Sequence, residues 1–170
     1  MVFDFEISSN TWIIVGLWLL VTILHALSLR RIIPWSFRAH LWALGFLWLI
    51  VIIISPLYLL FSLSIGRGYF PALGIATLLL GGGIVVWHSR ILGWKRLMGQ
   101  RFFESCPADR WITTGLYRYL TNPIYDGLAV VFFGFFLWRG NIDFLLLATV
   151  SLLFLNVFLA RIENIASAAG

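Results

Sequence analysis

The residues whose types and spacing could do chemistry lie in one stretch, Thr113-Thr114-Gly115-Leu116-Tyr117-Arg118-Tyr119-Leu120-Thr121-Asn122-Pro123-Ile124-Tyr125-Asp126-Gly127. Asn122 followed by Pro123 predicts a helix start, because an Asn side chain can cap free backbone N–H groups and a proline at the first helical position forfeits no hydrogen bond. The first turn of such a helix presents unpaired N–H groups and the positive end of the helix dipole, which suit a carboxylate or phosphate. Asp126 falls in that turn. An ionisable group is expensive in apolar surroundings, so it is expected to face other helices or the aqueous boundary. From residue types alone, the stretch reads equally well as a basic juxtamembrane turn followed by a capped helix.

The elements that must position this stretch are apolar. The chain has 170 residues, 61% of them hydrophobic and only 11% charged, which points to one all-α integral membrane domain over residues 1–170. Cys106 is the single cysteine, so no internal disulfide is expected, and the scattered histidines offer no cluster of zinc-ligand spacing; no metal is expected. The net charge of +5 comes from arginines at the ends of apolar runs. It is read as membrane orientation and lipid contact, not as a nucleic-acid surface. Asp4 and Glu6 precede the first apolar run with no basic residue among them, unlike a cleaved secretory signal, so the first span is expected to stay in the mature protein.

Five transmembrane helices are predicted, at about residues 11–29, 40–64, 71–87 and 123–138, and from the Arg139-Gly140-Asn141 turn to about residue 160. His25, in the first span, reads as an interfacial or helix-bonded side chain and is given no role. Pro56 is expected to bend the second span. Gly81-Gly82-Gly83 reads as a packing notch in preference to a cofactor cleft, although three adjacent glycines do not say which face is contacted. Residues 88–121 carry Arg90, Lys95, Arg96, Arg101, Arg110 and Arg118 among Trp94, Phe102, Phe103 and Trp111, a basic interfacial segment before the last helical hairpin. That hairpin is predicted to return Arg161 and Glu163 to the side where Tyr117 to Asp126 begin. With five spans, every Lys and Arg except Arg67 and Arg139 falls on one face, which places the N-terminus outside and the polar stretch in the cytoplasm.

The pattern G-x-Y-R-x-x-x-N-P-x-Y-x-G, followed by an apolar hairpin and Arg161-Ile162-Glu163, resembles the membrane-embedded methyltransferases typified by isoprenylcysteine carboxyl methyltransferase and phosphatidylethanolamine N-methyltransferase. The resemblance covers residues 88–170. It implies S-adenosylmethionine as cofactor, held at positions matching Ile112, Gly115, Tyr117, Asn122, Pro123, Tyr125 and Glu163, with Glu163 pairing the cofactor's ammonium and the helix start at Asn122 receiving its carboxylate. Asp126 and Arg118 are the catalytic candidates: Asp126 is either the base for an amine acceptor or the group that orients Arg118 or Tyr125. The partners implied are membrane lipids and a lipophilic methyl acceptor.

Asn122, where most of the broad family has His, is more similar to the phosphatidylethanolamine enzymes and favours a phospholipid amine as acceptor. Asn164 stands where many relatives have a second acidic residue, and the closing run Ile165-Ala166-Ser167-Ala168-Ala169-Gly170 replaces an amphipathic aromatic tail. The alternatives are an isoprenylcysteine-type carboxyl or thiol methyltransferase, an NADPH-dependent sterol-type reductase, and a non-catalytic membrane scaffold. Sterol-type reductases place Asn between the Pro and the Tyr and an acidic residue after the Gly, where this chain has Ile124 and Leu128.

Overall fold

The computed structural model of the protein describes residues 9–55, 57, 70–93, 120 and 122–159. The described residues form five helices and no strand. α1 is Ser9–Leu29, α2 is Phe37–Leu49 continuing into wider π-helical turns at Ile50–Ile54, α3 is Pro71–Leu92, α4 is Pro123–Arg139, and α5 is Ile142–Ser151 continuing as a π-helix over Leu152–Leu159.

Each boundary follows from a local residue. α1 closes with Arg31 in the left-handed region at φ 55°, where the Ile32 N–H reaches the Leu27 carbonyl and the Arg31 N–H the Ser28 carbonyl, both over 3.0 Å. This is the reversal usually made by a glycine, so Arg31 holds a conformation that L side chains disfavour by roughly 1–2 kcal/mol. Ser36 caps α2, its hydroxyl accepting the Ala39 N–H at 3.3 Å. That cap starts the helix at Phe37, ahead of the predicted residue 40. α3 and α4 both open on a proline. Between α4 and α5, Gly140 takes a left-handed φ of 69° and donates its N–H to the Phe136 carbonyl at 2.7 Å, while the Asn141 side chain accepts the Asp143 N–H at 2.7 Å. The chain therefore reverses within two residues, and α4 and α5 form the predicted antiparallel hairpin.

One expectation is corrected. α3 does not stop near residue 87 but runs to Leu92, because no helix breaker occurs before Gly93, which leaves the helix at φ 77°. His88, Ser89 and Arg90 are thus helical; His88 is buried, its Nδ1 lying 3.0 Å from the Ile84 carbonyl. In the second span, α-helical geometry gives way to wider turns at Ile50–Ile54, the turn ahead of Pro56, where a proline removes a backbone donor and crowds the carbonyl four residues back; Pro56 itself lies outside the described residues, as does the Gly66-Arg67-Gly68 turn.

The core is aromatic. Trp18 is fully buried and meets Trp48 and Phe132 edge-on at centroid distances of 5.6 and 5.7 Å, tying α1, α2 and α4 together. Phe135 stacks on Phe144 at 5.2 Å and ties α4 to α5. α3 packs chiefly on α4, and glycines allow the approach. A Cβ added at Gly81 would stand 2.8 Å from the Gly127 carbonyl oxygen, and one at Gly134 would stand 2.8 Å from the Leu78 nitrogen. Gly82 and Gly83 meet nothing within 4 Å, so Gly81 is the contacted member of the triplet. The outer surface is also apolar: Trp42 is 74% exposed and Leu79 73%, and Trp12, Phe46 and Trp87 are exposed as well. α1 and α3 are each long and apolar enough to cross a membrane, and the second and fifth helices are shorter apolar helices.

Candidate active site

The first turn of α4 gathers four of the predicted site residues, Asn122, Pro123, Tyr125 and Asp126. The helix starts where the Asn-Pro pair predicts, but the cap differs from the expectation. The Asn122 side chain makes no capping hydrogen bond; instead its backbone carbonyl accepts the N–H groups of Tyr125 at 3.0 Å and Asp126 at 3.2 Å. The Asp126 bond is the first regular bond of the helix, so one donor of the first turn, the Tyr125 N–H, is used within the turn and not left for a carboxylate or phosphate. Pro123, Ile124 and Tyr125 are buried among the helices, and Asp126 is half-buried.

Asp126 has a specific partner. Asn156, in the π-helical part of α5, donates its side-chain N–H to Asp126 Oδ1 over 2.6 Å. The other end of that amide, Asn156 Oδ1, is buried and finds no hydrogen-bond partner among the described residues. A buried acceptor left unpaired costs about 1–3 kcal/mol, which a ligand carrying an N–H donor would recover. The carboxylate can likewise accept an N–H donor, and it can also take its proton.

Tyr125 lies against a cavity of about 220 Å³ that all five helices line, with His25 and Trp48 on one side and Ile52, Val85, Leu128 and Leu155 around it. His25 is 3% exposed. Its Nδ1 accepts the indole N–H of Trp48 at 3.4 Å, its ring lies 5.0 Å from that of His40, and His40 Nδ1 is in turn 2.7 Å from the Ser28 hydroxyl. His25 Nε2 is buried and without a hydrogen-bond partner among the described residues.

The remaining predicted site residues, Ile112, Gly115, Tyr117, Arg118 and Glu163, lie outside the described residues. Two residues at the site were not picked out from the sequence. His25 was set aside as a lone histidine in an apolar span, and that isolation was the available signal. Asn156 gave the same kind of signal, a single amide inside the apolar run Leu152–Leu159.

A family model described as phospholipid methyltransferase matches residues 69–167, which include α3, α4, α5 and every predicted site residue. No match was found among curated proteins or solved structures.

Proposed function

Because this chain belongs to the phospholipid methyltransferase family, we propose that it transfers a methyl group from S-adenosylmethionine to the amine of a membrane phospholipid. The observation that carries this reading is the Asp126–Asn156 hydrogen bond. It closes the α4–α5 hairpin at the end where α4 begins, so the chain leaves α5 at Leu159 beside the Tyr125 turn, a few residues before Glu163. The pairing of Glu163 with the cofactor's ammonium rests on this placement, with Ile112, Gly115, Tyr117, Asn122, Pro123 and Tyr125 forming the rest of the cofactor seat.

The residues in hand suit such a group. The aromatic ring of Tyr125 offers a face to a cation, and Asp126 with Asn156 Oδ1 offers acceptors to an amine. S-adenosylmethionine, when bound, supplies an electrophilic methyl on a sulfonium. The chain's own work is alignment and proton removal: Asp126 takes the proton that the acceptor amine releases, Asn156 fixes the carboxylate, and the buried first turn of α4 excludes water from the approach. Arg118 is the second catalytic candidate and sits next to this turn in sequence.

The exposed apolar exterior supports a multi-pass membrane setting, in which lipid covers Trp42, Leu79 and their neighbours. The bias of basic residues toward one face supports a cytoplasmic site with the N-terminus outside.

The test is binding of S-adenosylhomocysteine and of NADPH to the detergent-purified protein, followed by transfer of labelled methyl to phosphatidylethanolamine. S-adenosylhomocysteine is expected to bind, to be lost in Glu163→Ala and to bind roughly tenfold more weakly in Tyr125→Ala. Binding of NADPH alone would replace this reading with a sterol-type reductase, and binding of neither would leave a non-catalytic scaffold.

A further inference from the structure

The cavity beside Tyr125 is larger than the roughly 150 Å³ that accommodates a benzene ring in an engineered protein core. Both π-helical segments of the described residues border it: Ile52 and Ile53 come from the wide turns of α2, and Leu155 from those of α5. Such turns shift side chains out of regular α-helical register and recur at functional sites.

The walls and the position of this space say what fills it. None of the lining residues is charged, and the lining is almost wholly apolar. A water molecule needs several polar partners, which these walls do not provide, whereas an empty space forfeits the dispersion contacts of the atoms around it. Leu49 and Ile53 line the cavity and are also 49% and 47% exposed, and Val85 and Ser89, from α3, are partly exposed. The wall therefore continues onto the apolar exterior, and the material available there in a membrane is lipid hydrocarbon.

Moving a chain from lipid into such a space brings little hydrophobic gain, because lipid tails are as apolar as the walls. What selects one lipid over another must then lie at a polar edge. Tyr125 and Leu155 both line the cavity, and they immediately precede Asp126 and Asn156, the hydrogen-bonded pair. Cavity and polar pair are adjoining parts of one hairpin. We infer that one acyl chain of the acceptor lipid enters past Leu49 and Ile53 and occupies this cavity, while its headgroup meets the first turn of α4.

The inference rests on the phospholipid reading above and adds the part of the lipid held away from the reacting amine. Leu49, Ile52 and Ile53 belong to α2, which precedes the residues matched by the family model. The seat for the chain is thus completed by a part of the protein separate from the methyl-transfer motif.

The experiment uses the full chain in lipid nanodiscs with one of two probes that carry the same diazirine-bearing acyl chain, a phosphatidylethanolamine or a diacylglycerol. In the wild type, the phosphatidylethanolamine probe is expected to cross-link Ile52, Val85 or Leu128 and to be displaced by unlabelled phosphatidylethanolamine. The diacylglycerol should label these residues about tenfold less, the worth of one hydrogen bond to a charged amine. Both probes should label the exposed Trp42 and Leu79 equally. Ser89→Phe, which fills the cavity from a partly exposed position, should abolish the cavity labels and keep those at Trp42 and Leu79, which report that the variant is inserted and folded. Equal labelling of the cavity by the two wild-type probes, or labels confined to the outer faces of the helices, overturns the inference, and neither result depends on a variant folding. Selective cavity labelling without S-adenosylhomocysteine binding would leave the chain seat standing and remove the methyltransferase reading; cofactor binding with outer labels alone would do the reverse.

Discussion

Asn156 and Asp126 are 30 residues apart in the chain, yet their side chains share a hydrogen bond of 2.6 Å across the α4–α5 hairpin. Polar side chains on apolar helices gain most from meeting one another, since neither a hydrocarbon core nor surrounding lipid offers a substitute. This contact fixes both the direction of the Asp126 carboxylate and the place from which the chain continues toward Glu163.

Asn156→Leu is expected to lower stability by about 1–3 kcal/mol, because it leaves the Asp126 oxygen without its donor. Unfolding in detergent checks this, and a cycle with Asp126→Ala isolates the pair. Strictly additive losses would mean that the hydrogen bond contributes nothing.

Asp126→Asn keeps the shape of the side chain and removes its ability to take a proton. Methyl transfer to an amine should fall by roughly 10²–10⁴-fold while binding of S-adenosylhomocysteine stays within about twofold of wild type. A parallel fall in cofactor binding would assign Asp126 to the architecture of the pocket and not to proton removal.

Gly81→Ala and Gly83→Ala should act in opposite directions despite their adjacency. At Gly81 the new methyl meets the Gly127 carbonyl oxygen at 2.8 Å and pushes α3 off α4, a loss of about 1–3 kcal/mol. At Gly83 nothing lies within 4 Å, and the alanine should raise stability by up to about 1 kcal/mol through helix propensity. Thermal unfolding of the two variants side by side decides the matter, and equal effects would contradict the packing described here.

The helices were legible where strong punctuation bounds an apolar run. Pro71, Pro123 and the Gly140-Asn141 turn mark boundaries that the structure reproduces. Where punctuation is absent the boundary was misplaced: nothing between residues 87 and 93 breaks a helix, so α3 continues into the start of the segment expected to be interfacial. The candidate site divides in the same way. Asn122 to Asp126 are neighbours in sequence, so the turn that collects them could be read directly. His25 and Asn156 reach the site only through packing, and helices that are apolar on every side carry no periodicity to say which faces will meet. The Gly81 triplet is the same problem at smaller scale, settled only once the α4 backbone is in place.

The Gly140-Asn141 reversal leaves no slack between the two helices of the hairpin. Each amino acid added to or removed from α5 ahead of Asn156 swings the following side chains by about 100° around the axis. A lone insertion there would turn the amide away from its carboxylate while preserving every residue type in the motif. The register of this hairpin is therefore as much a part of the site as the identity of its polar groups.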